Sequence, residues 1–147
     1  MTNTNPLLEK IPHRPPFRFV DEVIEVDDQR IVTTYQADET ADFFQGHYPG
    51  NPIMPGVLIC EACFQSGALL MAHRHRSDDA TPAVPVLTRI QDARFKNIIK
   101  PGQRLDIDVT LDEQLDNAAY MTARVTSEGK SVLRVSFCCM FAEGRKE

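Results

Sequence analysis

Three polar groups stand out in the stretch from Phe43 to Gln65: His47, Glu61 and Gln65. His47 sits in a Gly46-His47-Tyr48-Pro49-Gly50 loop, which its prolines should hold stiffly. Glu61 and Gln65 follow, four residues apart, so on a helix they share a face. A carboxyl group in an apolar helix is costly unless it is paired or used. Apolar surroundings also favour its neutral form, which can donate a proton. Pro55-Gly56 lies just before the helical stretch, so the N–H groups of Gly56 and Val57 are expected at its open, partly positive end, where a developing oxyanion can bind. Base, acid and oxyanion site suit removal of a proton beside a carbonyl, with protonation of a leaving group. The same residues have a plainer reading: a hydrogen-bonded loop histidine, and a Glu61–Gln65 pair that satisfies the backbone of a neighbouring loop.

The elements that must position these groups read as follows. Residues 1–16 are a polar, proline-rich, extended or turning lead-in. Phe17–Val26 and Arg30–Gln36, separated by Asp27-Asp28-Gln29, read as a hairpin. Residues 38–56 are polar, and glycine and proline forbid regular structure in their second half. Val57–Ala72 is the one long helix candidate, apolar on nearly every side and therefore buried. His73-Arg74-His75-Arg76 complements its negative end, and Ser77–Pro82 ends the structure. Val84–Phe95, Arg104–Leu111, Ala119–Thr126 and Val132–Phe141 read as strands, the second with strict alternation of Leu105, Ile107, Val109 and Leu111 against polar residues. One helix cannot cover both faces of a parallel sheet, and the late connections are short. The expectation is an α+β fold, an antiparallel sheet wrapped around one central helix, with a second copy of the subunit covering what the sheet leaves open.

At 147 residues the chain is expected to be one domain. A net charge of −5 argues against a nucleic-acid or membrane-surface partner. The sequence shows neither a run of about 18 apolar residues nor a signal peptide, so a cytoplasmic protein with reduced cysteines is expected.

The segments Ile11-Pro12-His13-Arg14-Pro15-Pro16-Phe17, Val20-Asp21, Phe43 through Ile59, Glu61-Ala62, Gln65, Asp92-Ala93-Arg94-Phe95-Lys96 and Pro101-Gly102 resemble the 3-hydroxyacyl-[acyl-carrier-protein] dehydratases of fatty acid synthesis. The resemblance runs from about Leu8 to the last strand. It implies the hotdog fold and β-elimination of water from a 3-hydroxyacyl thioester on acyl carrier protein, without metal or other cofactor. It further implies His47 as base at the α-carbon, Glu61 as the carboxyl that helps expel the hydroxyl, the Gly56 N–H as donor to the thioester carbonyl, and Gln65 as the residue that orients Glu61. Histidine and carboxylate of one site then come from different subunits of a homodimer, with a trimer of dimers as a larger assembly. Leu58 and Phe64 are candidates for an acyl tunnel, and Lys96, Lys100 and Arg104 for docking of the acidic carrier. Pro85-Val86-Leu87-Thr88-Arg89 departs from the aromatic and glycine residues of many family members, and Asn97-Ile98 from an Arg-Pro pair.

Two further readings stay open: a hotdog acyl thioesterase with Glu61 activating water, and a non-catalytic acyl-carrier-binding protein. Cys60-Glu61-Ala62-Cys63 has redox spacing but lies within an apolar helix, so its thiols read as small hydrophobes. Cys138-Cys139 point to opposite strand faces and cannot both serve a zinc site. His13 reads as structural.

Overall fold

The computed structural model describes residues 5–75 and 83–143; Arg76 and the break expected over 77–82 lie outside them. A 3-10 turn (Pro6–Lys10), opened by the Asn5 side chain accepting from Leu7 N–H, precedes β1 (Glu22–Val26) and β2 (Arg30–Gln36). A single helical turn, α1 (Phe43–Gly46), and the long helix α2 (Gly56–Arg74) follow. Strands β3 (Ala83–Phe95), β4 (Arg104–Leu115), β5 (Ala118–Ser127) and β6 (Lys130–Glu143) complete the described chain. The six strands form one antiparallel sheet in the order β1-β2-β4-β5-β6-β3.

The period-2 pattern builds the inner face of this sheet. Leu105, Ile107 and Val109 of β4, Met121, Ala123 and Val125 of β5, and Leu133, Val135 and Phe137 of β6 are all buried. They close over α2, whose residues from Ile59 to Met71 are buried with the exception of Glu61. Each fully buried aliphatic side chain contributes on the order of 1.5–3 kcal/mol, so this interior is the main stabilising element. By length and hydropathy α2 could cross a bilayer; here the protein's own sheet takes the place of lipid. Two buried hydroxyls are satisfied within the core: Ser66 Oγ donates to the Ala62 carbonyl at 2.8 Å and lies 2.7 Å from Thr33 Oγ1.

The sequence reading places a strand over Phe17–Val26, but the ladder begins only at Glu22. The earlier backbone is engaged elsewhere: Phe19 N–H donates to the Gln65 side chain, and the Phe17 carbonyl accepts from it. A buried amide has displaced a strand partner. The 3-10 turn falls within the extended or turning lead-in, and α1 lies in the first half of the 38–56 stretch, ahead of its glycine- and proline-dense second half.

Gly67 marks the closest approach of helix to sheet. A Cβ at this position would lie 2.8 Å from the Phe137 ring and 3.1 Å from the Met121 methyl. Gly67→Val overpacks this contact, at a cost of about 1–3 kcal/mol. The expected result is a Tm lowered by roughly 2–12 °C in a thermal melt.

Candidate active site

The loop that presents His47 is built by its own turn residues. Tyr48-Pro49-Gly50-Asn51 closes with Asn51 N–H donating to the Tyr48 carbonyl at 2.9 Å. Pro49 suits the second position of this turn, and Gly50, at φ +91°, takes the left-handed third. Tyr48 itself is at φ +58°, a conformation that costs a non-glycine residue on the order of 1 kcal/mol. Across the turn, His47 Nδ1 lies 3.0 Å from the Ile53 carbonyl oxygen. A carbonyl only accepts, so Nδ1 of the neutral ring carries the proton and Nε2 keeps its lone pair. Met54 N–H donates to the Ile99 carbonyl and ties the loop to the segment before β4.

On α2, Gln65 is fully buried, and its surroundings fix which way its amide points. Its oxygen accepts from Phe19 N–H at 2.7 Å. Its nitrogen donates to the Phe17 carbonyl at 2.8 Å and to Glu61 Oε2 at 2.9 Å. One glutamine thus clamps the chain before β1 and steers a carboxyl one helical turn away. The Glu61 side chain is 23% exposed, so it is reachable from outside. His13, read as structural from sequence, brings Nε2 to 3.6 Å from the same Oε2. Nothing in the spacing of His13 and Glu61 pointed to this contact, because the Gln65 clamp that creates it spans 48 residues.

Gly56 opens α2, and Pro55 supplies no side-chain cap. The first N–H groups of a helix lack intrahelical acceptors, so those of Gly56 and Val57 are unclaimed by the helix. Val57 is 75% exposed. The Phe95 ring lies against Gly56, where a Cβ would approach it to 2.8 Å.

The structure brings Glu61 and Gln65 together and places His47 among different neighbours. His47 bonds to Ile53 and meets the Tyr48 ring at 4.7 Å, whereas Glu61 contacts Gln65 and His13. Leu58, one turn before Glu61, lines a hollow of about 460 Å³ together with Phe17, Phe19, Tyr35 and Phe43. Phe64 instead packs edge-on to Phe137 in the core. Lys96, Lys100 and Arg104 are all exposed, but Arg104 pairs with Asp106 at 3.2 Å. Burial pushes the Cys60 thiol up and the Cys63 thiol well up, which keeps both protonated and unreactive. The Cys139 thiol is pushed up to about 12 by burial, then by Cys138 and Glu61.

A family model described as a FabA-like domain matches residues 11–136. A 3-hydroxyacyl-[acyl-carrier-protein] dehydratase FabZ of Anaeromyxobacter dehalogenans is 37% identical over 136 residues, 92% of this chain and 87% of the relative. The FabZ of Clostridium perfringens is 35% identical over 144 residues, covering 98% of this chain and all of the relative. Among solved structures, the dehydratase heterocomplex ApeI:P of Xenorhabdus doucetiae superposes with a TM-score of 0.82 at 16% identity, over 95% of this chain and 93% of that one. A hypothetical thioesterase of Streptococcus pneumoniae with coenzyme A reaches 0.66 at 17% identity, over 85% and 88%. At these identities the two solved structures establish the shared hotdog architecture.

Proposed function

This chain belongs to the FabA-like family that includes the 3-hydroxyacyl-[acyl-carrier-protein] dehydratases, and from that premise we infer a reaction carried out by His47 and Glu61. The protein is a hydro-lyase of fatty acid synthesis that converts 3-hydroxyacyl thioesters on acyl carrier protein to trans-2-enoyl thioesters. The thioester carbonyl accepts from the Gly56 N–H, with Val57 beside it, and this acidifies the α-hydrogen. His47 Nε2 takes the α-proton as the Cα–H bond breaks. The electron pair forms the Cα–Cβ double bond, the C–O bond breaks, and Glu61 gives its proton to the departing hydroxyl, which leaves as water. The site then holds an imidazolium and a carboxylate, and one proton passed between them through solvent restores it. The observation that carries this reading is the His47 Nδ1 contact with the Ile53 carbonyl, which leaves a directed lone pair on Nε2.

We propose that a second copy completes the site: within one subunit His47 contacts Ile53 and Tyr48, and Glu61 contacts Gln65 and His13. The outer edge of β3 supports that arrangement. Among the described residues it pairs only with β6, runs for thirteen residues, and exposes Val86, Ile90 and Phe95. A long, apolar, unpaired edge is a template for another strand, and Phe95 lies directly against Gly56. The acyl chain would lie along Leu58 and the aromatic wall of the adjoining hollow. Lys96 and Lys100 are the better docking candidates, since the charge of Arg104 is partly met by Asp106.

The test is incubation with 3-hydroxyacyl thioesters on carrier protein and on coenzyme A. Growth of conjugated-enoyl absorbance without release of free thiol is the expected result. Thiol release would support hydrolysis, and neither product would support a non-catalytic carrier-binding role.

A further inference from the structure

Resting on the dehydratase reading above, we propose that His13 is a positioning residue that fixes which oxygen of Glu61 carries the catalytic proton. Its Nε2 stands 3.6 Å from Glu61 Oε2, the oxygen that also receives the Gln65 N–H at 2.9 Å. The other ring nitrogen, Nδ1, is buried and has no hydrogen-bond partner among the described residues. A buried N–H without an acceptor is among the rarest unmet groups in proteins. The neutral ring therefore carries its proton on Nε2, facing the carboxyl, and leaves only a bare lone pair in the interior.

Oε2 then accepts the Gln65 hydrogen bond and has the His13 N–H facing it at 3.6 Å, just beyond hydrogen-bond length. A carboxylic proton on Oε2 would point toward donors, so it resides on Oε1, the oxygen left for the substrate hydroxyl. After the proton has gone, the Gln65 hydrogen bond and the His13 N–H dipole 3.6 Å away both favour the carboxylate that remains. The ring is held for this task. It stacks on Phe17 with centroids 6.4 Å apart and planes 28° apart. Arg14 donates to the carbonyls of Ile11 and His13 and pairs with Glu9, so its charge is met within the 9–14 segment. From β6, the buried Cys139 thiol is held protonated, first by its burial and then by the charges of Cys138 and Glu61. Gln65, already fully engaged, cannot supply a second N–H to Oε2.

The test uses the full chain and its carrier-bound substrate, with His13→Phe, His13→Gln, Glu61→Gln and the His13→Phe/Glu61→Gln double variant. His13→Phe keeps a ring on Phe17 but removes the donor. Its kcat is expected to fall about 10- to 100-fold, as a misplaced reacting group costs, with KM changed less than about threefold. His13→Gln, which places an N–H near the position of Nε2, is expected to recover most of that loss. In the Glu61→Gln background His13→Phe is expected to cost nothing further, because its effect passes through the carboxyl. A His13→Phe enzyme with parental kcat, a loss confined to KM, a His13→Gln enzyme no better than His13→Phe, or a loss undiminished in the double variant overturns the proposal. Full turnover by Glu61→Gln alone would overturn the dehydratase assignment of Glu61 and this role with it. A dead Glu61→Gln beside an unaffected His13→Phe overturns the positioning role only.

Discussion

His47→Asn is expected to lower kcat for dehydration by about 10²–10⁴-fold, the range that a positioned general base supplies, while leaving the fold intact. The choice of asparagine follows from the geometry. Its side-chain N–H can replace Nδ1 as donor to the Ile53 carbonyl, but it offers no basic lone pair where Nε2 stood. His47→Ala removes both. The lost hydrogen bond, with a net worth of roughly 0.5–1.5 kcal/mol, loosens a loop already strained at Tyr48. Alanine should therefore match asparagine in kcat and fall below it in Tm. Steady-state kinetics by enoyl absorbance, paired with thermal melts, separates the two effects. If His47→Asn turned over at the parental rate, another group would be the base.

What the sequence disclosed and what it hid have different physical origins. Buried-face alternation in Arg104–Leu111 and the nearly all-apolar Val57–Ala72 announce themselves, because burial is written into every second or nearly every residue. Strand and helix are found there, the strand starting at the same Arg104 and running on to Leu115, the helix longer by one residue at its start and two at its end. The Pro49-Gly50 turn is equally legible, since each residue dictates its own dihedral angle. Phe17–Phe19 misleads because its alternation is real while its hydrogen-bond partner is a side chain on α2. No local pattern encodes that choice. Gln65 was legible as a partner of Glu61 from spacing and resemblance, but its grip on Phe17 and Phe19 was not. The nearness of His13 to Glu61 is hidden for the same reason: it reaches the carboxyl because that grip folds the lead-in onto the helix. Phe64, by contrast, lies on an apolar helix where periodicity alone cannot separate a core side chain from one that lines a hollow. Only the contact with Phe137 places it in the core.

The prediction that bears most directly on how the site is assembled uses two inactive proteins together. Glu61→Gln preserves an acceptor for the Gln65 N–H and nearly the same volume, yet it cannot donate an acidic proton to a departing hydroxyl. Its kcat is expected to fall about 10²–10⁴-fold. Suppose each site takes His47 from one subunit and Glu61 from the other. Co-refolding equal amounts of His47→Asn and Glu61→Gln protein then yields mixed dimers in which one site carries both substitutions and the other carries none. With random pairing about half the dimers are mixed, and each has one intact site of two, so about a quarter of parental activity returns. If both groups served from the same subunit, every site in the mixture would carry one substitution or the other, and no activity would return. The proposed pairing along β3 favours the first outcome, because that edge adjoins the Gly56 end of α2 through Phe95. An Ile90→Lys change at the same edge, 52% exposed in the lone subunit, would bury a charge against its symmetry mate and should abolish both dimer and recovery. Recovery without dimerisation, or dimerisation without recovery, would refute the shared site.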